Sequence, residues 1–284
     1  MISATLLLLA GVTLGPELEA WKKQIESQGG VPVLVAKVDF DRAKNELYLA
    51  PDTPGRELFT GYLKQEEFVK QFHLMNAVMI HHRAPGAQAY LVLLNGARES
   101  DWADHQPSLL AHEFGHAWLK ARGFPTPLFV NDRWACISIH AGDITQHVLI
   151  RQELDRRGID FRTFWLKSLG QATTQFEGTS PPPEEDRCTR VRQVAQSVDV
   201  RLGLKPGEWA GQSRYETAVG KTMPEVNGTV ESIVSYLKER DMADKDQHRE
   251  ALKFVFERLR DLAAQRTDEY RVENRAVSTL AGVN

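Results

Sequence analysis

The sequence predicts an α+β fold. A small N-terminal, mostly antiparallel sheet packs on a backing helix and on a helix carrying a His-Glu-x-x-His motif, and a largely helical C-terminal part completes the chain. Three observations lead there. Short β-rich runs cluster in roughly the first hundred residues. Apolar residues at helical spacing dominate most of the remaining sequence. One segment, residues 109–119, is apolar around most of its circumference yet carries two histidines and a glutamate.

In chain order, residues 2–15 (ISATLLLLAGVTLG) form an apolar stretch of signal-peptide length, too short to cross a bilayer. It lacks a basic n-region, and no good small-x-small cleavage site comes after it. It reads either as a signal peptide, with residues 1–25 a leading segment, or as an ordinary first helix or strand. Export to a periplasm or the exterior is preferred over the cytoplasm. Residues 32–40 (PVLVAKVDF) and 46–50 (ELYLA) flank a polar turn and predict a hairpin. Pro51 to Gly55 break the chain, and Phe68, Phe72, Met75 and Met79 then predict a helix over 63–82, stopped by the turn at 83–86. His73, His81 and His82 read as solvent-facing groups on that helix. Residues 89–94 (AYLVLL) read as a strand closed by Asn95 and Gly96.

Ser108 is the candidate N-cap of the motif helix, which runs to about Arg122 before Gly123 and Pro125. Trp134, Ile137, Ala141, Ile144 and Val148 predict a second long helix over 131–157, ended by Gly158. Further helices are predicted near 160–176, 188–203, 228–240 and 245–265. The Pro-rich acidic run 179–186 (TSPPPEED) is the candidate boundary between a catalytic region, 26–178, and a helical region, 187–284.

Hydrophobic residues at 42% and charged ones at 26% suit a globular protein. A net charge of −3 without any Lys/Arg block excludes a nucleic-acid footprint or a polybasic membrane patch. No other apolar run approaches membrane length. The two cysteines, Cys136 and Cys188, are too few for a disulfide scaffold. They either pair in an oxidising compartment or stay separate as buried thiols.

The chemistry lies in the motif. Residues four apart share one helix face, so His112 and His116 can aim imidazole nitrogens at one zinc ion. Glu113, about 100° further round, reaches beside the metal and is placed to act as general base toward an attacking water. Such groups on a buried helix must be paired or neutralised, and a metal does this for the histidines. Gly115 leaves room for a substrate or strand to approach the helix.

HEFGH in an uncharged apolar helix, preceded by a strand, resembles the zincin metallopeptidases of the gluzincin-like kind. The resemblance spans about residues 30–157, and only the HExxH core is specific. It implies a zinc cofactor, a peptide or protein substrate, and peptide-bond hydrolysis. It also implies that the strand before the motif helix edges the cleft and pairs with extended peptide, which makes Tyr90, Val92 and Leu94 candidate substrate-binding residues.

Zinc needs a third protein ligand. The HExxHxxGxxH extension is absent, since Lys120, Ala121 and Arg122 come after the motif and the next histidine is His140. Gluzincin-like members place this ligand on a later helix, which directs attention to residues 131–157. There His140, Asp143 and His147 share a face. His147 is the first choice, because neutral imidazole suits zinc. Asp143 is the alternative; otherwise it orients His147 or caps a helix starting after Gly142. Glu153 reads as part of a solvated charged face, and Tyr215 and Tyr236 are available as transition-state-stabilising groups without either being assigned. Two other functions stay open: a zincin-like peptide-binding or structural-zinc protein without catalysis, and a zinc hydrolase of a non-peptide amide.

Overall fold

The computed structural model describes residues 12–41, 44, 46–126, 132–178 and 187–264. Most of the apolar leader and the whole run 179–186 lie outside the described residues. The fold is α+β. The chain divides into two units, Met1–Arg122 with Arg157–Phe164 and Gly123–Arg156 with Trp165–Asn284. The first division therefore falls at the turn that ends the motif helix, where Gly123 adopts φ 73°, and not in the Pro-rich run.

The first unit opens with α1 (Pro16–Gly29), which has proline in its first turn and ends at Gly30 in the left-handed region (φ 67°). The sequence expectation lacks this helix, because its buried stripe is only Leu18, Trp21 and Ile25 among charged residues. The predicted hairpin is present as β1 (Val33–Asp41) and β2 (Glu46–Leu49), with Val38 opposite Leu49.

The helix expected over 63–82 needs correction. Two short helices, α2 (Arg56–Leu63) and α3 (Glu66–Phe72), are succeeded by a strand, β3 (Ala77–Ala84). The buried side-chain amide of Asn95 donates to the carbonyls of Phe72 (2.8 Å) and Met75 (2.9 Å), satisfying acceptors at the end of α3. From Ala77 the backbone pairs instead with β4 (Ala87–Asn95), from Ala77 opposite Leu94 to Ala84 opposite Ala87. Pro85 and Gly86 make the two-residue turn, with Gly86 at φ 79°.

The four strands are ordered β2-β1-β4-β3, with β1 and β4 parallel and the other pairs antiparallel. One face buries Ala36, Val38, Leu49, Ala89, Leu91 and Leu93 against Phe59 of α2 and Phe72 of α3. The opposite face, with Val33, Tyr90, Val92 and Leu94, packs on α1 and on the motif helix α5 (Gln106–Ala121). A Cβ on Gly29 of α1 would sit 2.9 Å from the Tyr90 ring and 3.2 Å from Ala121 of α5, so glycine permits this approach. A short helix, α4 (Glu99–Trp102), precedes α5 and buries Trp102, whose indole N–H donates to Asn95 O at 2.9 Å.

The second unit is built from helices α6 (Asp132–Arg157), α7 (Arg162–Gly178), α8 (Arg187–Gly203), α9 (Gln212–Thr222), α10 (Val226–Lys238) and α11 (Lys245–Ala264), the ends of α6 and α7 belonging to the first. Val191, Val194 and Val198 of α8, Val230 and Ile233 of α10, and Leu252, Val255 and Leu259 of α11 form its core. The sequence expectation lacks α9, a largely polar helix that buries Tyr215, Ala218, Val219 and Thr222. Cys136 and Cys188 form a disulfide joining α6 to α8, with Cα atoms 5.9 Å apart. Among the described residues no helix is long and apolar enough to cross a membrane.

Candidate metal centre

Helix α5 carries the motif as expected, but its start differs. Pro107 occupies the first turn, and Ser108 is no N-cap: its hydroxyl donates to the carbonyl of Asp160. Leu110, Ala111, Phe114, Ala117 and Leu119 are fully buried, and Phe114 meets Trp21 of α1 edge to face at 6.3 Å. The helix is thus packed around most of its circumference, leaving His112 and His116 partly exposed on one face.

Those two histidines converge. Nε2 of His116 lies 3.3 Å from Nε2 of His112, with the rings at 81° to each other. Two nitrogens each about 2.0–2.1 Å from one ion at the tetrahedral angle stand about 3.3–3.4 Å apart. The pair therefore has the bite of two zinc ligands. Glu113, the next residue along, is only 6% exposed.

In the second unit, α6 runs unbroken through Gly142, so Asp143 lies within a helix and caps none. Its carboxylate is 3.3 Å from His140 Nδ1 and 4.0 Å from His147 Nε2, so the three residues share a face as expected. His147 has a further partner that sequence reasoning missed. Its Nδ1 lies 2.8 Å from Oδ2 of Asp199 on α8, and the other oxygen of Asp199 accepts from Arg151 at 2.7 Å. Burial alone would raise the Asp199 carboxyl, but the charges of Arg151 and His147 outweigh it and hold the group well below the usual carboxylate range.

Other expectations are corrected. Tyr90, Val92 and Leu94 are 2%, 0% and 0% exposed, and β4 is paired on both sides, by β1 and β3. Its main chain has no edge for a peptide, and its side chains are core. Glu153 is no member of a solvated face: it is 7% exposed, and Arg156 donates to both its oxygens at 2.6 and 2.7 Å, the pairing that allows its burial. Tyr215 is fully buried, hydrogen-bonded to Gln193 at 2.6 Å, and burial pushes its hydroxyl up to about 12. Tyr236 stacks on Phe254 at 3.7 Å.

His81 and His82 stand on β3, not on a helix, and point to opposite faces of the sheet. His81 packs on Tyr90 at 4.7 Å, and burial together with Arg83 and Lys120 pushes its pKa down to about 4. His82 Nδ1 meets the Tyr62 hydroxyl at 3.1 Å, and His73 packs edge to face on Phe40. No family model matches the chain, and no curated protein or solved structure does either.

Proposed function

We propose that the protein is a zinc-dependent hydrolase of the HExxH type that cleaves peptide bonds, with His112 and His116 as metal ligands and Glu113 as general base. The observation that carries the reading is the 3.3 Å separation of the two motif nitrogens on an otherwise buried helix. Held there, zinc supplies Lewis acidity toward water and the scissile carbonyl. Glu113 takes the proton of the attacking water and passes it to the leaving amine. A purely structural metal site has no use for that carboxylate. For the third ligand the sequence reading names His147 first. Asp143 is the alternative.

The strand that would pair with extended peptide passes from β4 to β3, the outer strand of the sheet on the side of the motif helix. The test is zinc content and hydrolysis of a mixed peptide library by wild type and Glu113→Gln. The variant is expected to keep its zinc and lose about 10²–10⁴-fold in turnover. A zinc-loaded wild type that cuts no peptide, or a fully active Glu113→Gln, overturns the reading.

A further inference from the structure

We infer that Cys136, Cys188 and His140 form a metal site under redox control, closed as a disulfide in the oxidised protein and holding a zinc-type divalent ion once the cysteines are reduced. The three residues lie within the second unit, on α6 and α8, and the inference is independent of the HExxH motif.

Cys136 and His140 are four residues apart on α6, so one helix face carries both side chains. Cys188 comes from the first turn of α8. The two sulfurs and a ring nitrogen of His140 all lie within 4.8 Å of one another. Around a tetrahedral zinc, with Zn–S about 2.3 Å and Zn–N about 2.0–2.1 Å, such donor atoms stand about 3.6–3.8 Å apart. Parting the sulfurs is therefore the main movement required, and the two Cα atoms, 5.9 Å apart, already hold the side chains together. Two thiolates and an imidazole are a zinc donor set, with a fourth position left for water.

The surroundings favour both the reduction and the binding. Cys188 is exposed, whereas Cys136 and His140 are partly buried, so a reductant reaches the bond from the Cys188 side. The first turn of the 17-residue helix α8 favours a thiolate at Cys188 through its dipole. Oδ2 of Asp143 lies 3.3 Å from Nδ1 of His140, the kind of carboxylate contact that steadies a metal-bound imidazole. A small dithiol supplies the electrons. One of its thiols attacks the Cys188 sulfur, forming a mixed disulfide and releasing the Cys136 thiolate. Its second thiol then displaces Cys188 and closes the reductant's own disulfide. The protein gains two electrons and two protons, and the dithiol loses as many. Zinc then displaces the two thiol protons to solvent as it is bound. With the disulfide closed, neither sulfur has a charge to offer and no ion is held.

The test is titration of cobalt(II) into the full chain, reduced with a dithiol and then freed of it under anaerobic conditions. Thiolate-bound cobalt gives a near-ultraviolet charge-transfer band, which the HExxH site, having no sulfur, does not give. Reduced wild type is expected to show the band, and excess zinc to abolish it. The oxidised protein and Cys136→Ser/Cys188→Ser are expected to show none. Reduced His140→Ala is expected to bind cobalt at least about tenfold more weakly. A missing band in reduced wild type overturns the proposal, and so does a loss of far-UV helix signal on reduction that zinc does not restore. A band in the serine variant overturns the assignment to these cysteines, and unaltered cobalt affinity in His140→Ala overturns the place of His140.

Discussion

Helices α5 and α6 both carry histidines, but they encode their chemistry differently. On α5 the two motif nitrogens are brought within 3.3 Å by spacing along one helix, and the surrounding apolar residues make the polar groups conspicuous. On α6 three candidate groups share a face, and what distinguishes His147 among them is Asp199, 52 residues away on another helix. A metal pair can be written in five consecutive residues. The partner that anchors a histidine is written in tertiary structure.

The sharpest way to break this comparison is to remove one histidine from each helix. His116→Ala is expected to lower zinc affinity by at least about a hundredfold, whereas His140→Ala, whose ring is engaged by Asp143, is expected to leave it near wild type, both read by chelator competition. Equal losses would erase the distinction between ligand and neighbour on α6.

Next in size is the disulfide, which ties α6 but not α5. Replacing both cysteines by serine is expected to lower unfolding free energy by up to about 4 kcal/mol on a chain-entropy argument for a loop of 52 residues, measured by urea denaturation.

A third contrast is acid sensitivity. Burial pushes His248 in the second unit down to about 4 from the usual 6.5, and its ring packs on Phe124 at 5.3 Å. The folded state therefore keeps it neutral while the unfolded chain protonates. Stability is fully present above pH 6.5 and is lost as pH falls from there through about 4. The full effect is on the order of 3 kcal/mol. His248→Gln is expected to flatten urea-derived stability against pH by up to about one proton in this window. An unchanged slope would assign the acid sensitivity elsewhere.

The smallest effect separates β4 as core from β4 as substrate edge. Tyr90→Phe is expected to leave KM unaltered and to change stability by about 1 kcal/mol or less. A raised KM with unaltered stability would return Tyr90 to the cleft.

Much of the fold was legible in the sequence. The hairpin at β1 and β2, the strand β4 and the long helices come from β-rich runs, a continuous apolar run and helical spacing respectively. The strand β3 was hidden because Phe68, Phe72, Met75 and Met79 continue a helical spacing by coincidence, and only pairing with β4 and the amide of Asn95 decide otherwise. The interior place of β4 did leave a signal. Six uncharged, mostly large apolar residues in a row, Ala89 to Leu94, mark a strand buried on both faces, whereas β3 carries His81, His82 and Arg83 before its last residue, Ala84. The motif pair was legible because its geometry is local. Asp199 was not, because nothing in the sequence reveals that α6 and α8 run in register.

The covalent tie between α6 and α8 also changes what a broken backbone would mean. A cut anywhere between residues 136 and 188 yields two pieces that stay linked through sulfur. Such a nicked molecule would migrate as one species on a non-reducing gel and as two after reduction. Its α6 and α8 would remain tethered, with His147 still beside Asp199 if the cut spares the helices. For a protein proposed to cleave peptide bonds, that is built-in tolerance of damage by its own kind of chemistry.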